Sequence, residues 1–147
     1  MTGPARVLAV SGGIGGAKLV LGLYRTLPPD SLMAAINTGD DFEHIGLTVC
    51  PDFDTTLYTL AGLANPDTGW GRAAESWQCL AALRELGGPA WFGLGDRDLA
   101  IHLLRTAALH RGDRLSRVAD RLCAQLGVRA RLLPASDEPV RTEVVTS

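Results

Sequence analysis

A glycine-rich turn between an apolar run and a helical pattern constrains the fold of this chain more than any other stretch. Residues 7–10 are apolar, Lys18 lies at the start of the helical pattern, and the glycines between them are Gly12, Gly13, Gly15 and Gly16. Glycines adopt positive φ and let a backbone approach a ligand closely, and the free N–H groups of a helix's first turn favour anions. The pattern predicts a strand, a turn and a helix, with a candidate phosphate site beside Lys18, the only lysine of the chain.

The turn matches neither of two standard phosphate motifs. Ala17 separates Gly16 from Lys18, which breaks the P-loop spacing, and Lys18 occupies the place of the third glycine in the dinucleotide pattern begun at Gly13. A sharp strand-to-helix turn that binds no ligand explains the glycines equally well. The turn alone therefore leaves both interpretations open.

Composition narrows the class of protein. A chain of 147 residues with 46% hydrophobic content is long enough for one domain with a sizeable core. Its formal net charge of −2 gives no general attraction to nucleic acid or to a membrane surface. The sequence has no apolar run of membrane-spanning length and no signal-peptide pattern, so we expect a cytoplasmic protein. Three widely spaced cysteines, Cys50, Cys79 and Cys123, are expected to be reduced and packed as small apolar residues.

The first third of the chain predicts a β-α-β unit. Residues 17–27 are apolar on almost every side and end at two prolines, and residues 32–37 form a second short apolar run. A right-handed crossover into a parallel sheet is the expected topology. Because ligands bind beyond the carboxyl ends of such strands, the glycine turn and the loop at residues 37–44 are expected to face one crevice.

Patterns further along the chain predict more strands and helices. The predicted strands are residues 46–50, 130–134 and 140–146, and residues 91–94 are a further short apolar run. The predicted helices are residues 55–63, 72–86, 99–110 and 115–126. The chain ends within an alternating strand pattern that no helix follows. We therefore expect residues 1–147 to be the N-terminal portion of a single α/β domain.

Three acidic clusters lie in the predicted loops: Asp40 with Asp41, Asp52 with Asp54, and Asp96 with Asp98. Carboxylates beside a phosphate cradle are favourable when a divalent cation bridges them, as Mg²⁺ does with carboxylates and substrate oxygens. The structural alternative is that each aspartate caps a helix or closes a turn, Asp54 being the N-cap of the helix at residues 55–63.

A narrow polar stripe follows the last acidic cluster. Asp98, His102 and Arg105 stand at i, i+4 and i+7 of a predicted helix whose other positions are largely apolar. A solvated helix face explains this stripe as well as a site does. We therefore leave His102 out of the predicted site.

Five blocks of the sequence resemble the 2-phospho-L-lactate transferase family in order and spacing. They are residues 11–18 (SGGIGGAK), 37–41 (NTGDD), 51–55 (PDFDT), 92–100 (FGLGDRDLA) and 132–137 (LLPASD). The resemblance implies a Rossmann-like three-layer α/β sandwich with a mostly parallel sheet, incomplete in this chain. It also implies an enzyme of deazaflavin coenzyme F-420 biosynthesis. That enzyme transfers a 2-phospholactyl or phosphoenolpyruvyl group from a guanosine-diphosphate-activated donor to 7,8-didemethyl-8-hydroxy-5-deazariboflavin, and it releases GMP with Mg²⁺ as cofactor.

The resemblance also assigns residue roles. Asp54 and Arg97 are expected to bind the deazaflavin acceptor, although Arg97 is equally suited to a phosphate. Asp40 and Asp54 are the expected metal ligands and catalytic carboxylates. The donor phosphates are expected at the glycine turn, on Gly12, Gly13, Gly15, Gly16 and Lys18.

Family members continue well beyond residue 147. The additional part is expected to complete the sheet, the guanine pocket and a subunit contact that makes the full-length protein a homodimer. Leu19, Val20 and their helical neighbours are therefore expected to be partly uncovered. Two other interpretations stay open. One is a non-catalytic nucleotide or nucleotide-sugar regulator, whose family shares the glycine opening and the first acidic loop but not the later blocks. The other is a truncated, inactive fragment.

Overall fold

A computed structural model of the chain describes residues 6–146, and these form an α/β fold. The strands are β1 (Val7–Ser11), β2 (Leu32–Ile36), β3 (Phe42–His44), β4 (Leu47–Val49) and β5 (Arg131–Pro134). The helices are α1 (Gly13–Thr26), α2 (Pro51–Ala61), α3 (Gln78–Glu85), α4 (Asp96–His110) and α5 (Leu115–Gln125), with one 3-10 turn at Pro29–Ser31. Strands β1, β2 and β5 pair in that order as a parallel sheet, and β3 pairs with β4 as an antiparallel hairpin. The predicted β-α-β unit and parallel sheet are confirmed.

The parallel sheet is covered on one face only by the described residues. Ala9, Ala34 and Leu132 lie in register across the three strands, and their side chains are buried in the core. On the opposite face Leu8 and Val10 are 60% and 81% exposed. Parallel sheets are normally covered on both faces. The described part of the chain therefore has two layers of the predicted three-layer sandwich, which agrees with the prediction of an incomplete Rossmann-like fold.

Helix α1 covers the inner face of the sheet and packs against α2. Val20 is 0% exposed and belongs to the core, whereas Leu19, one position earlier, is 58% exposed. The expectation of partial exposure is confirmed for Leu19 and wrong for Val20. Adjacent helical residues point about 100° apart, so one side of the helix is buried while the next is not.

One predicted strand is wrong, and one short apolar run is not a strand. Residues 91–94 form an irregular loop, because Trp91 and Phe92 pack against the rings of Phe42 and His44 instead of pairing in the sheet. Residues 140–146 are also irregular. That segment is tied to the rest of the fold by the Thr142 backbone N–H, which donates to the Gly39 carbonyl at 2.7 Å, and an alternating pattern without a neighbouring strand does not form a ladder.

Several helix boundaries also differ from the predicted ones. Helices α1 and α2 begin at Gly13 and Pro51, four residues earlier than predicted, because the glycines belong to the first turn of α1 and proline is favoured at a first helical position. The predicted helix at 72–86 is reduced to α3, since Ala74 adopts a positive φ of 54° that interrupts helical geometry. The hairpin strand β3 was not predicted.

The cysteines agree largely with the prediction. All three cysteines are free; Cys50 and Cys123 are buried as predicted, whereas Cys79 is exposed. None of the helices within residues 6–146 is long and apolar enough to cross a membrane.

Candidate functional site

A cleft of about 320 Å³ opens beyond the carboxyl end of β1, where three helices approach one another. Helix α1 contributes Gly13 and Ile14, helix α2 contributes Asp54 and Tyr58, and helix α4 contributes Asp98 and His102. Trp70 and Phe92, from two connecting loops, also line it. The cleft thus brings the glycine turn together with residues of two of the three acidic clusters.

Steric contacts explain most of the glycines in the turn. A Cβ on Gly12 would lie 2.9 Å from an Asp52 carboxylate oxygen, and one on Gly16 would lie 2.4 Å from the Ser11 hydroxyl oxygen. Gly13 adopts a φ of +65°, which disfavours any side chain. Gly15 has open space around its Cβ position, and Lys18 is exposed further along α1. The turn therefore places the start of α1 at the cleft, where Gly13 and Ile14 line it.

Asn37 joins the loop after β2 to the glycine turn. Its side-chain N–H₂ donates to Asp40 at 3.1 Å and to Asp52 at 2.9 Å, and its side-chain oxygen accepts from the Gly39 backbone N–H. The two loops share one edge of the sheet, as predicted. Asp52 is buried and lines the cleft, whereas Asp40 is exposed beside it.

Asp54 forms a buried ion pair with Arg105. One guanidinium nitrogen, Nη1, donates to Asp54 Oδ2 at 3.1 Å and to the Thr48 carbonyl at 3.2 Å, and Nη2 donates to Asp54 Oδ1. Burial lowers the pKa of the Arg105 guanidinium, but the negative charge of Asp54 raises that pKa by a larger amount. The net shift of the pKa is upward, so the group stays charged. The N-cap interpretation of Asp54 is wrong, because the residue lies inside the first turn of α2 and Cys50 occupies the cap position.

The polar stripe of α4 is not a solvated face. His102 and Arg105 are 1% and 0% exposed, because the stripe faces α2 and the β3–β4 hairpin. The Tyr58 hydroxyl donates to Asp98, and His102 Nε2 lies 3.4 Å from Asp98 Oδ2. Burial raises the pKa of Asp98, but the nearby His102 ring and the hydrogen bond from Tyr58 lower it to below its ordinary value. The i, i+4, i+7 spacing was the signal for these residues, and the sequence does not say which side of the helix is covered.

Three of these side chains are arranged as a candidate metal centre. Asp54, Asp98 and His102 each offer a ligand atom, and these atoms lie within 4.8 Å of one another. Asp40, the second carboxylate of the predicted metal pair, lies outside this group and is held by Asn37. Its assignment stays a prediction.

The chain has two Asp-x-Asp pairs, Asp52 with Asp54 and Asp96 with Asp98. The second pair supports the site from the side of α3. Asp96 accepts bonds from the Ser76 hydroxyl at 2.6 Å and from two backbone N–H groups at the start of α3, and these bonds lower its pKa. Glu75 in turn accepts from the backbone N–H groups of Arg97 and Asp98 at 2.8 and 2.9 Å. The Arg97 side chain is exposed, and its predicted contact with the acceptor stays a prediction.

Aromatic rings flank the cleft. Phe42 and Phe92 meet edge to face with their centroids 5.2 Å apart, and His44 makes a similar contact with Trp91 at 5.2 Å. Phe92 and Trp70 line the cleft itself. These rings give the cleft an apolar wall next to its charged base.

The chain is similar to a known protein family and to individual proteins from three bacteria. The family model described as 2-phospho-L-lactate transferase CofD matches residues 7–147. A phosphoenolpyruvate transferase of Kitasatospora aureofaciens is 49% identical over 141 residues, which is 95% of this chain and 44% of that protein. Proteins of the same name from Streptomyces griseus and Mycolicibacterium smegmatis are 48% and 45% identical over 95% of this chain, and the matches span 44% and 46% of those proteins. The chain thus spans less than half the length of the curated relatives it matches, and over that span it belongs to the CofD family.

Proposed function

We propose that this chain forms the substrate-binding cleft of a transferase in deazaflavin coenzyme F-420 biosynthesis. The reaction moves a phosphoenolpyruvyl or 2-phospholactyl group from a guanosine-diphosphate-activated donor to 7,8-didemethyl-8-hydroxy-5-deazariboflavin. The name that the relatives carry, phosphoenolpyruvate transferase, favours the enolpyruvyl group. The observation that carries the proposal is the meeting of the glycine turn with Asp54 and Asp98 in one cleft.

The donor's phosphates bind at the glycine turn in this proposal. Gly13 and Ile14, in the first turn of α1, line the cleft, and a helix N-terminus favours negative charge. Gly12, Gly13, Gly15 and Gly16 allow the phosphates to approach the backbone, and Lys18 is the proposed side-chain cation.

The acceptor occupies the opposite side of the cleft. Phe92 and Trp70 offer flat apolar surface to its ring system, and Arg97 lies on the first turn of α4, five residues after Phe92 in the sequence. Asp54 accepts a hydrogen bond from the terminal ribityl hydroxyl and orients that oxygen toward the donor phosphorus. Arg105 holds the Asp54 carboxylate in place for this contact.

The proposed transfer forms one bond and breaks one. The ribityl oxygen bonds to the phosphorus that carries the three-carbon acid, the bond from that phosphorus to the bridging oxygen breaks, and GMP leaves with the electron pair. The hydroxyl proton is released to a carboxylate, for which Asp54 and Asp40 are the candidates. The main contribution of the protein is then to position the two substrates and to balance charge on the phosphates.

The carboxylates of the cleft fit a divalent cation such as Mg²⁺. Asp54 and Asp98 present oxygen ligands close together, and each carboxylate keeps lone pairs beyond those used by Arg105 or Tyr58. Asp54 with Asp40, the pair indicated by the resemblance, or Asp54 with Asp98 would hold the ion. Bound there, it would neutralise charge on the transferring phosphate.

A direct assay tests the proposed function. The chain, and the same chain extended by the segment that the Kitasatospora relative has beyond the match, is mixed with the deazaflavin acceptor, an enolpyruvyl or lactyl guanosine-diphosphate donor and Mg²⁺. Mass spectrometry is expected to detect the phospho-adduct and GMP. Absence of the adduct from both proteins with either donor would end the transferase proposal.

Asp54→Asn provides the residue-level test in whichever protein is active. We expect turnover to fall by about 10²–10³-fold, because the variant keeps the volume of the side chain but loses its charge. Asp67→Asn is the matched control, since Asp67 is exposed on a loop and does not line the cleft. Circular dichroism of both variants separates a loss of chemistry from a loss of fold.

A further inference from the structure

We infer that Arg105 fixes the tautomer of His102, with ring Nδ1 as the acceptor and the ring proton on Nε2. His102 then presents an N–H donor to the cleft, where it is available to an oxygen of the bound substrate. Arg105 acts as a positioning residue in this arrangement. The inference concerns the proposed transferase site and rests on the proposed function for the identity of the substrate.

The contact between Arg105 and the imidazole determines the tautomer. Arg105 Nη1 lies 3.1 Å from His102 Nδ1, and a guanidinium nitrogen can only donate. If Nδ1 also carried a proton, two donors would face each other at that distance inside the protein. Nδ1 is therefore the acceptor, and the single proton of the neutral ring lies on Nε2.

Other neighbours of the ring do not favour a proton on Nδ1. Asp54 Oδ2 is 3.7 Å from Nδ1, beyond hydrogen-bond distance, and both oxygens of Asp54 already accept from Arg105. Arg105 Nη1 carries two hydrogens and faces three acceptors, which are Asp54, His102 and the Thr48 carbonyl. One of the two hydrogens is therefore shared between two acceptors.

The opposite side of the ring faces the cleft. His102 is 1% exposed and lines the cleft, and its buried Nε2 has no hydrogen-bond partner among residues 6–146. Asp98 Oδ2, its nearest carboxylate oxygen, lies at 3.4 Å, longer than a good hydrogen bond, and the other oxygen of Asp98 accepts from Tyr58. A buried donor with no close acceptor is costly, and a substrate oxygen in the cleft would satisfy it.

The tautomer also limits which atoms of the site can bind a metal ion. A ring nitrogen that carries a proton has no free lone pair for a cation, so His102 Nε2 serves as a donor and leaves cation binding to the carboxylates. Of the three residues in the candidate metal group, Asp54 and Asp98 would then be the two able to hold a cation.

Nuclear magnetic resonance of the chain labelled with [¹⁵N]histidine tests this inference without any turnover. The chain has three histidines, and His102→Gln identifies the signals of His102 by their loss. A long-range ¹⁵N–¹H correlation spectrum is expected to show a protonated Nε2 and an unprotonated Nδ1. A proton on Nδ1, or on both nitrogens, would overturn the inference whether or not the protein is a transferase.

Two variants identify which neighbour sets the tautomer. Asp98→Leu removes the carboxylate beside Nε2, and we expect the Nε2–H form to persist because Arg105 is unchanged. Arg105→Met is expected to convert part or all of the population to the Nδ1–H form. A change of tautomer in Asp98→Leu would assign the effect to Asp98 and contradict the role of Arg105, and this variant decides the matter even if Arg105→Met does not fold.

Substrate binding provides the last measurement. Titration of the wild-type chain with the deazaflavin acceptor, and separately with GMP, is expected to shift the Nε2–H signal of His102 with one of the two molecules. If both molecules bind, as followed by acceptor fluorescence and by calorimetry, and the Nε2–H signal does not move, His102 does not donate to a substrate oxygen.

Discussion

The two Asp-x-Asp pairs, Asp52 to Asp54 and Asp96 to Asp98, occupy the same local position and serve the site differently. Each pair lies in the first turn of a helix, α2 or α4. In both pairs the first aspartate is hydrogen bonded to a neighbouring segment, Asp52 to Asn37 and Asp96 to the start of α3. The second aspartate of each pair lines the cleft.

The pairs differ in the partner of the second aspartate. Asp54 is buried against the guanidinium of Arg105, whereas Asp98 accepts from the neutral hydroxyl of Tyr58 and lies near His102. Asp54 is therefore held by the positive charge of Arg105, and removal of either residue's charge leaves the other charge buried and unpaired. Asp98 is held by weaker, neutral donors. The comparison indicates that identical sequence spacing gives one rigid and one adjustable carboxylate in the same cleft.

Among the variants that test this comparison, Arg105→Met should cause the largest fall in the free energy of unfolding. It removes the cation and leaves Asp54 as an uncompensated buried carboxylate, so we expect the free energy of unfolding to fall by about 3–5 kcal/mol. Urea denaturation followed by circular dichroism measures the loss. Arg121→Met is the matched control, because Arg121 pairs with Asp113 at 2.7 Å but its side chain is 50% exposed, and its urea midpoint should not change measurably.

A double variant separates the unpaired charge from lost packing. Arg105→Met combined with Asp54→Leu removes both charges, and this protein should be more stable than Arg105→Met alone. If the double variant is no more stable than the single one, packing rather than the ion pair explains the loss, and the contrast between the two aspartates fails.

Tyr58→Phe should have a smaller effect, on the second pair. The variant removes the hydroxyl that donates to Asp98 and keeps the ring in the core. A hydrogen bond to a charged group is worth about 1.5–3 kcal/mol, and Asp98 keeps His102 as a neighbour, so we expect a loss near the low end of that range. Urea denaturation at pH 7 measures it, and a loss equal to that of Arg105→Met would remove the distinction between a charged and a neutral partner.

The sequence predicts the sheet and the first crossover well because their signals are local. An apolar run, a glycine turn and a second apolar run define β1, α1 and β2 without reference to the rest of the chain. The failures occur where distant packing decides. Residues 91–94 have strand composition, but the hairpin formed by β3 and β4 offers their aromatic side chains a better site than a sheet edge does.

The site is predicted in part for the same reason. The glycine turn and Asp54 are recognisable by spacing, and both line the cleft. Tyr58 is not recognisable, and Arg105 is recognisable only as a member of the polar stripe, because the role of both depends on α2 packing across α4. A solvated helix face explains the stripe of His102 from the sequence alone, and the packing of α2 and the β3–β4 hairpin against that face contradicts this interpretation.

Asp41 tests what burial does to a carboxylate that lies outside the cleft, in the loop after β2. Burial raises its pKa to about 6, so the folded protein favours the protonated form. Below the ordinary pKa of 3.8 the residue is protonated in both folded and unfolded states, and as pH rises through 6 the ionised form makes folding less favourable. Asp41→Asn should therefore raise the melting temperature at pH 7.5 and have little effect at pH 3.5. An equal effect at both pH values would contradict the assigned shift.

Asp96→Asn should have the smallest effect, because Asp96 stabilises the start of α3 from a largely exposed position. Its bonds from Ser76 and from the backbone N–H groups of Gln78 and Cys79 lower its pKa, so it stabilises the fold above the ordinary aspartate pKa, and this contribution is lost as pH falls through the lowered value. We expect a slightly lower melting temperature at pH 7 and no difference at strongly acidic pH. Amide hydrogen exchange should show the change confined to α3 and the start of α4. Faster exchange in α2 would mean that the two Asp-x-Asp pairs are coupled and do not act as separate supports of the cleft.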